Sequence, residues 1–201
     1  MKNCVVLDIG IGSGHIAKEI GKGCKELHGI DVVDERVVKE GYLLSRVKGE
    51  VLPFKDNMFD VVISNQVLEH VGDKKKHVDE IRRVLKKGGI CYLATPNKFW
   101  IIEPHFKLPF LSWFPRSIAK RYLKLLKGKN WDVDSPSFNQ LKKLTNSFSE
   151  RHNMALEVIK HPEKYSLDVF AGINKVSRLL PYCILRFCSN FLPSFIFVLR
   201  K

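Results

Sequence analysis

Short apolar runs and longer stretches of helical spacing alternate along this chain. Apolar segments rich in β-branched residues predict strands at 4–8, 26–30, 46–51, 60–64, 90–95, 154–161 and 194–200. The clearest of them are apolar at consecutive positions, the pattern of strands covered on both faces. Helical spacing predicts helices at 14–22, 34–44, 74–86, 116–127, 137–152 and 172–189. Strands alternating with helices predict a parallel sheet between two helical layers, a three-layer α/β architecture. Ser137 is a candidate N-cap, and Gly88 a candidate left-handed C-cap behind a helix ending in Lys86 and Lys87. With 201 residues the chain buries a substantial core, so one domain over 1–201 is expected, with 98–131 and 164–192 as helical insertions.

The first strand carries the candidate chemistry. Val5-Val6-Leu7-Asp8 runs into Ile9-Gly10-Ile11-Gly12-Ser13-Gly14, with glycines at every second position. Glycines let the backbone turn tightly and approach a ligand closely. A strand-to-helix turn also aims free N–H groups above the sheet. A dinucleotide fingerprint would have its third glycine at His15, so a nicotinamide cofactor is disfavoured. Asp31 ends the second strand, 23 residues after Asp8. A carboxylate there either accepts from both hydroxyls of a ribose or caps the helix predicted at 34–44, and both readings stay open.

More blocks follow in order: Val51-Leu52-Pro53-Phe54 with Phe59-Asp60-Val61-Val62, then Val67-Leu68-Glu69-His70-Val71, then Val84 to Asn97. With the Asp8–Gly14 turn they make residues 4–97 resemble the class I S-adenosylmethionine-dependent methyltransferases, near the quinone-biosynthesis and small-molecule group. The resemblance implies a Rossmann-like, doubly wound sheet of seven strands in the order 3-2-1-4-5-7-6, the last antiparallel. It implies S-adenosylmethionine as cofactor, bound by Asp8, Gly10, Gly12, Gly14 and Asp31, with Ser64 and Asn65 at the end of the fourth strand. Relatives carry an Asp against the adenine four residues before the Leu of Leu52-Pro53-Phe54. Lys48 stands there, which makes Glu50 the candidate for that role. Ser64-Asn65-Gln66 lacks the Asn-Pro-Pro-Tyr type signature of amide and exocyclic-amine methylation. The chain starts on its first strand, where relatives have a helix over the cofactor. A cover is therefore expected from 98–131, from 164–192 or from the second subunit of a homodimer.

Charge sharpens this picture more than bulk composition does. Residues 1–97 hold 16 Lys/Arg against 14 Asp/Glu, a net of +2, whereas residues 98–201 hold 18 against 7, a net of +11. The surplus predicts an anionic partner for the second half. On a helix over 116–127, Arg116, Lys120, Lys124 and Lys127 share one side, and Ile118, Ala119, Tyr122, Leu125 and Leu126 the other. Beside the aromatic stretch Pro104–Pro115, that helix is either an element for peripheral membrane contact or a packed helix with a solvated basic face. Five cysteines without a pairing pattern fit reduced thiols and a cytoplasmic setting. No leader segment, membrane span or metal-ligand spacing is legible, so no metal is expected.

A sulfonium methyl is already activated, so alignment and exclusion of water are the main demands on the protein. A general base is needed only for a hydroxyl acceptor. His70, after the fourth strand, and His105, beside Glu103 in the insertion, are the candidate catalytic residues; each is otherwise a hydrogen-bonded structural histidine. The expected activity is methyl transfer to a small or amphipathic, anionic acceptor (a metabolite, glycan or lipid intermediate). The alternatives are an RNA methyltransferase and a non-catalytic scaffold. Nucleic acid is disfavoured because no RNA-binding motif accompanies the basic insertion.

Overall fold

The computed structural model describes residues 2–161 and 192–201. Strand β1 (Val5–Ile9) lies between β2 (Glu26–Asp31) and β4 (Phe59–Asn65), parallel to both. Strand β3 (Leu43–Arg46) runs parallel to β2, and β5 (Leu85–Pro96) parallel to β4. Strand β7 (Ser194–Arg200) enters antiparallel between β5 and β6 (Glu150–Asn153). The seven strands take the order 3-2-1-4-5-7-6 expected from the resemblance. Among the described residues the α-helices are α1 (His15–Gly21), α2 (Lys74–Val84), α3 (Arg116–Lys127), α4 (Phe138–Leu144) and α5 (Ala155–Lys160).

Apolar burial explains this order. Leu7, Ile9, Val62, Leu93 and Phe195 join Val78, Ile81 and Val84 of α2 in the main core, while Val6, Ile11 and Leu27 pack with Ala17 of α1 elsewhere. The insertion has a satellite core of its own, in which Leu108 and Leu111 meet Ala119 and Leu123 of α3, Trp131 and Val133. Helix α3 matches the expected 116–127 range.

Several local predictions fail for physical reasons. The expected helix at 34–44 does not form. Asp34 Oδ1 accepts both the backbone N–H and Nε of Arg36, a turn that competes with a helical start. Val37 and Val38 N–H groups donate to the Ser13 carbonyl, tying this crossover down to the glycine turn. Strand β3 consequently begins at Leu43, not at 46. The expected helix at 137–152 shortens to α4: Ser137 caps it in a reciprocal box with Gln140, and it ends at Leu144 where Thr145 Oγ1 donates to the Leu141 carbonyl. Residues 150–153 thereby become β6, and the apolar 154–161 segment, expected as a strand, holds α5. Gly88 has the expected left-handed backbone, φ 74°, but four residues past the end of α2, inside β5. The helix expected at 172–189 lies outside the described residues.

Candidate cofactor and acceptor site

A cavity of about 190 Å³ opens at the carboxyl ends of β1, β2 and β4, lined by Gly10, Asp31, Glu50, Leu52, His70 and His77 among others. Gly10, Gly12 and Gly14 all have positive φ, 74°, 50° and 82°, as a sharp turn off β1 requires. Their surroundings differ. A side chain on Gly10 would strike Val67, and one on Gly14 would strike the Val38 carbonyl and Tyr42. A side chain on Gly12 would meet nothing. Gly12 therefore faces open space, whereas Gly14 is small because the β2–β3 crossover packs on it.

Asp31 Oδ2 accepts the Gly12 N–H at 3.0 Å, and Oδ1 accepts the Val32 N–H at 2.7 Å. The helix it was a candidate to cap is absent, and the carboxylate borders the cavity. Asp8 lies nearby, buried in β1; burial first and the Asp31 charge second push its carboxyl up to about 7. Glu50 Oε1 accepts the N–H groups of Gly72 and Asp73 at 3.0 and 3.1 Å, which holds its carboxyl below the usual range. Ser64 is turned into the core: its hydroxyl meets His77 Nε2 at 3.1 Å, and burial drives the His77 imidazole down to about 4. Asn65 stands apart from that pair, with Asp8, Gly10 and Tyr92 around a second opening.

At the far end of the cavity the insertion arrives. The loop from Ile102 to Pro109 closes on itself, with Glu103 N–H donating to the Leu108 carbonyl and Lys107 N–H to the Glu103 carbonyl. His105 sits at its tip, ring to ring with His70 at 5.2 Å and perpendicular. Its Nδ1 bonds Glu103 Oε1 at 2.8 Å, and Nε2 points toward Glu69 Oε1 at 4.0 Å. Glu69 is 1% exposed; burial raises its carboxyl, and Thr95 Oγ1 donates to its Oε2 at 3.0 Å.

Residues 7–93 match the family model described as a methyltransferase domain. A probable S-adenosylmethionine-dependent methyltransferase of Mycolicibacterium smegmatis is 30% identical over 135 residues, 64% of this chain and 52% of that protein. A ubiquinone biosynthesis O-methyltransferase of Pelagibacter ubique is 28% identical over 130 residues, 57% of this chain and 52% of that one. The chain spans about half or less of the length of the curated relatives it matches. An S-adenosylmethionine-dependent methyltransferase structure from Mesorhizobium loti superposes with a TM-score of 0.62 at 14% identity, covering 99% of this chain and 91% of that one, a likeness of fold. Residues 7–93 are thus similar to the methyltransferase domain of S-adenosylmethionine-dependent methyltransferases.

The cofactor of these methyltransferases is S-adenosylmethionine, and the cavity suits it. Open space over Gly12 and a carboxylate at the end of β2 fit a bulky, sugar-bearing cation. Sequence reasoning missed His77 and Glu69. His77 lies within a plain amphipathic helix, and the position of Glu69 matters only once a loop about 36 residues further on folds back over it.

Proposed function

We propose that this chain transfers the methyl group of S-adenosylmethionine to a small or amphipathic, anionic acceptor: a metabolite, glycan or lipid intermediate. The cofactor, when bound, supplies a methyl on a sulfonium. Asp31 would hold the ribose hydroxyls, Gly10 and Gly12 would leave room above β1, Asp8 and Asn65 would face the amino-acid end, and Glu50 would border the adenine. Gly14 shapes the turn, and Ser64 fixes His77 beneath the cavity. The observation that carries the reading is that His70 both lines the cofactor cavity and meets His105 of the insertion. The insertion over 98–131 then forms the acceptor wall, and His70 and His105 are the catalytic residues, set against the nucleophilic atom of the acceptor. The names of the relatives, an N-methyltransferase of Rauvolfia serpentina and the O-methyltransferase of Pelagibacter ubique, support nitrogen and oxygen acceptors alike. The basic half fits an anionic one.

Calorimetric titration with S-adenosylhomocysteine tests the cofactor half of this reading. The wild-type chain takes up one equivalent, and Asp31→Ala weakens binding by about 10- to 100-fold, the loss of hydrogen bonds to a charged group. Equal affinity in the variant would leave Asp31 as a turn cap and nothing more.

A further inference from the structure

We propose that Glu69, His70 and His105 bind a divalent transition-metal cation at the acceptor end of the cavity. One ligand atom from each lies within 4.8 Å of the other two. The unmet hydrogen-bonding capacity of the cluster points the same way. Glu69 is buried, and its Oε1 has no hydrogen-bond partner although its Oε2 is satisfied by Thr95. A buried carboxylate oxygen without a donor is costly and rare. It faces His105 Nε2 at 4.0 Å, too far for a hydrogen bond.

The other ring nitrogen of His105 is already engaged. Glu103, also buried, accepts the Phe106 N–H at 2.6 Å through Oε2 and faces His105 Nδ1 at 2.8 Å through Oε1. A carboxylate oxygen accepts, so the Nδ1–H of His105 is directed at Glu103 and Nε2 is the ring nitrogen turned toward Glu69. The carboxylate–histidine pairing behind Nε2 is the arrangement that orients metal-binding imidazoles. Neither Glu69 nor Glu103 has a Lys or Arg within ion-pair distance among the described residues. A cation would supply the missing positive charge.

Two imidazoles and one carboxylate suit zinc, cobalt, manganese or ferrous iron better than calcium or magnesium. Bond lengths of about 2.0–2.2 Å would draw the three ligand atoms together by roughly an ångström. The exposed His70 and His105 rings can make that shift while Glu69 stays fixed. Three protein ligands leave a coordination position open toward the cavity that His70 lines. An acceptor hydroxyl bound there would lose its proton to water more readily. Its oxygen pair would form the new bond to carbon as the S–CH₃ pair returns to sulfur. That last role rests on the methyl-transfer reading, whereas cation binding does not. Sequence spacing gave no sign of the site, because Glu69 and His70 are adjacent and His105 arrives from the insertion.

The test uses the full chain, stripped with chelator and titrated with cobalt(II). One equivalent binds, giving visible d–d absorption that zinc abolishes by displacement, and zinc raises the melting temperature of the wild type. Glu69→Gln and His105→Ala each lower the affinity by at least 10-fold and abolish the zinc-induced rise. Binding that is absent in the wild type, or unchanged in both variants, overturns the site and leaves a water or a shared proton in the gap. Uptake of S-adenosylhomocysteine, measured on the same samples, reports separately on the methyl-donor reading. Its loss with the metal site intact would sink that reading alone.

Discussion

Asp8 and Asp31 set two carboxylates beneath one glycine turn, and only Asp31 has backbone donors to stabilise its charge. Asp8 is buried without such help, so its folded-state pKa, about 7, lies above its ordinary 3.8. The folded protein therefore keeps a proton that the unfolded chain gives up between those values. The stability this provides is complete below pH 3.8, declines as pH rises and is gone above about 7. Removing the charge should help where the charge is forced. Asp8→Asn in the cofactor-free protein is expected to gain on the order of 2–4 kcal/mol at pH 8 and nothing at pH 4. Urea unfolding at the two values measures this, and an equal effect at both would mean that Asp8 is not a strained anion. Asp8, Gly10, Gly12 and Asp31 were legible from sequence because a strand end and a glycine turn are local events. Glu69 and His77 were not, because each acquires its meaning only across the fold.

At the scale of elements, legibility follows burial. Strands β1, β2, β4, β5 and β7 announce themselves as apolar runs, since both faces of a central strand meet helices. Strand β6 is Glu150-Arg151-His152-Asn153, at the sheet edge and mostly exposed, so no apolar pattern marks it. The apolar residues just after it drew the strand prediction and instead belong to α5. The 34–44 crossover had helical spacing, but local Asp34–Arg36 bonds and docking on Ser13 outweighed it. Helix α2 shows what periodicity does convey and what it omits: its inward face carries Val78, Ile81 and Val84, and also His77. Burial holds that imidazole neutral, with a folded-state pKa near 4 against an ordinary 6.5. The unfolded chain binds the proton first, so stability is lost as pH falls from 6.5 toward 4, opposite in sign to Asp8. His77→Leu is expected to remove up to about 3 kcal/mol of that acid-side loss, at the cost of the Ser64 hydrogen bond. Urea midpoints at pH 7 and pH 4.5 decide it. Parallel losses in variant and wild type would show that His77 does not titrate on unfolding.

Over the described residues, the charge imbalance and most of the exposed large apolar side chains fall in the same half. No helix among the described residues is long and apolar enough to cross a membrane. Helix α3 buries only Ala119 and Leu123; Leu125 is 85% exposed, and Ile118, Leu126 and the nearby Trp113 and Phe114 are exposed as well. The basic stripe of Arg116, Lys120, Lys124 and Lys127 runs along the same helix. Apolar side chains and cations side by side match the interface of an anionic bilayer, where each Lys or Arg contributes about 1 kcal/mol and each inserted methylene adds to it. A soluble acceptor demands none of this, whereas an amphipathic one would lie in that interface. The chain is therefore expected to sediment with vesicles of phosphatidylcholine containing anionic phospholipid, and not with phosphatidylcholine alone. Binding should weaken as added salt shortens the screening length from about 10 Å at 0.1 M to 3 Å at 1 M. Leu125→Asp and Lys120→Glu should each reduce it several-fold while leaving S-adenosylhomocysteine affinity unchanged. Equal binding to neutral vesicles, or none to either, would make α3 a helix with a merely solvated face. Steep, salt-dependent retention of RNA in place of vesicle binding would instead favour a nucleic-acid acceptor.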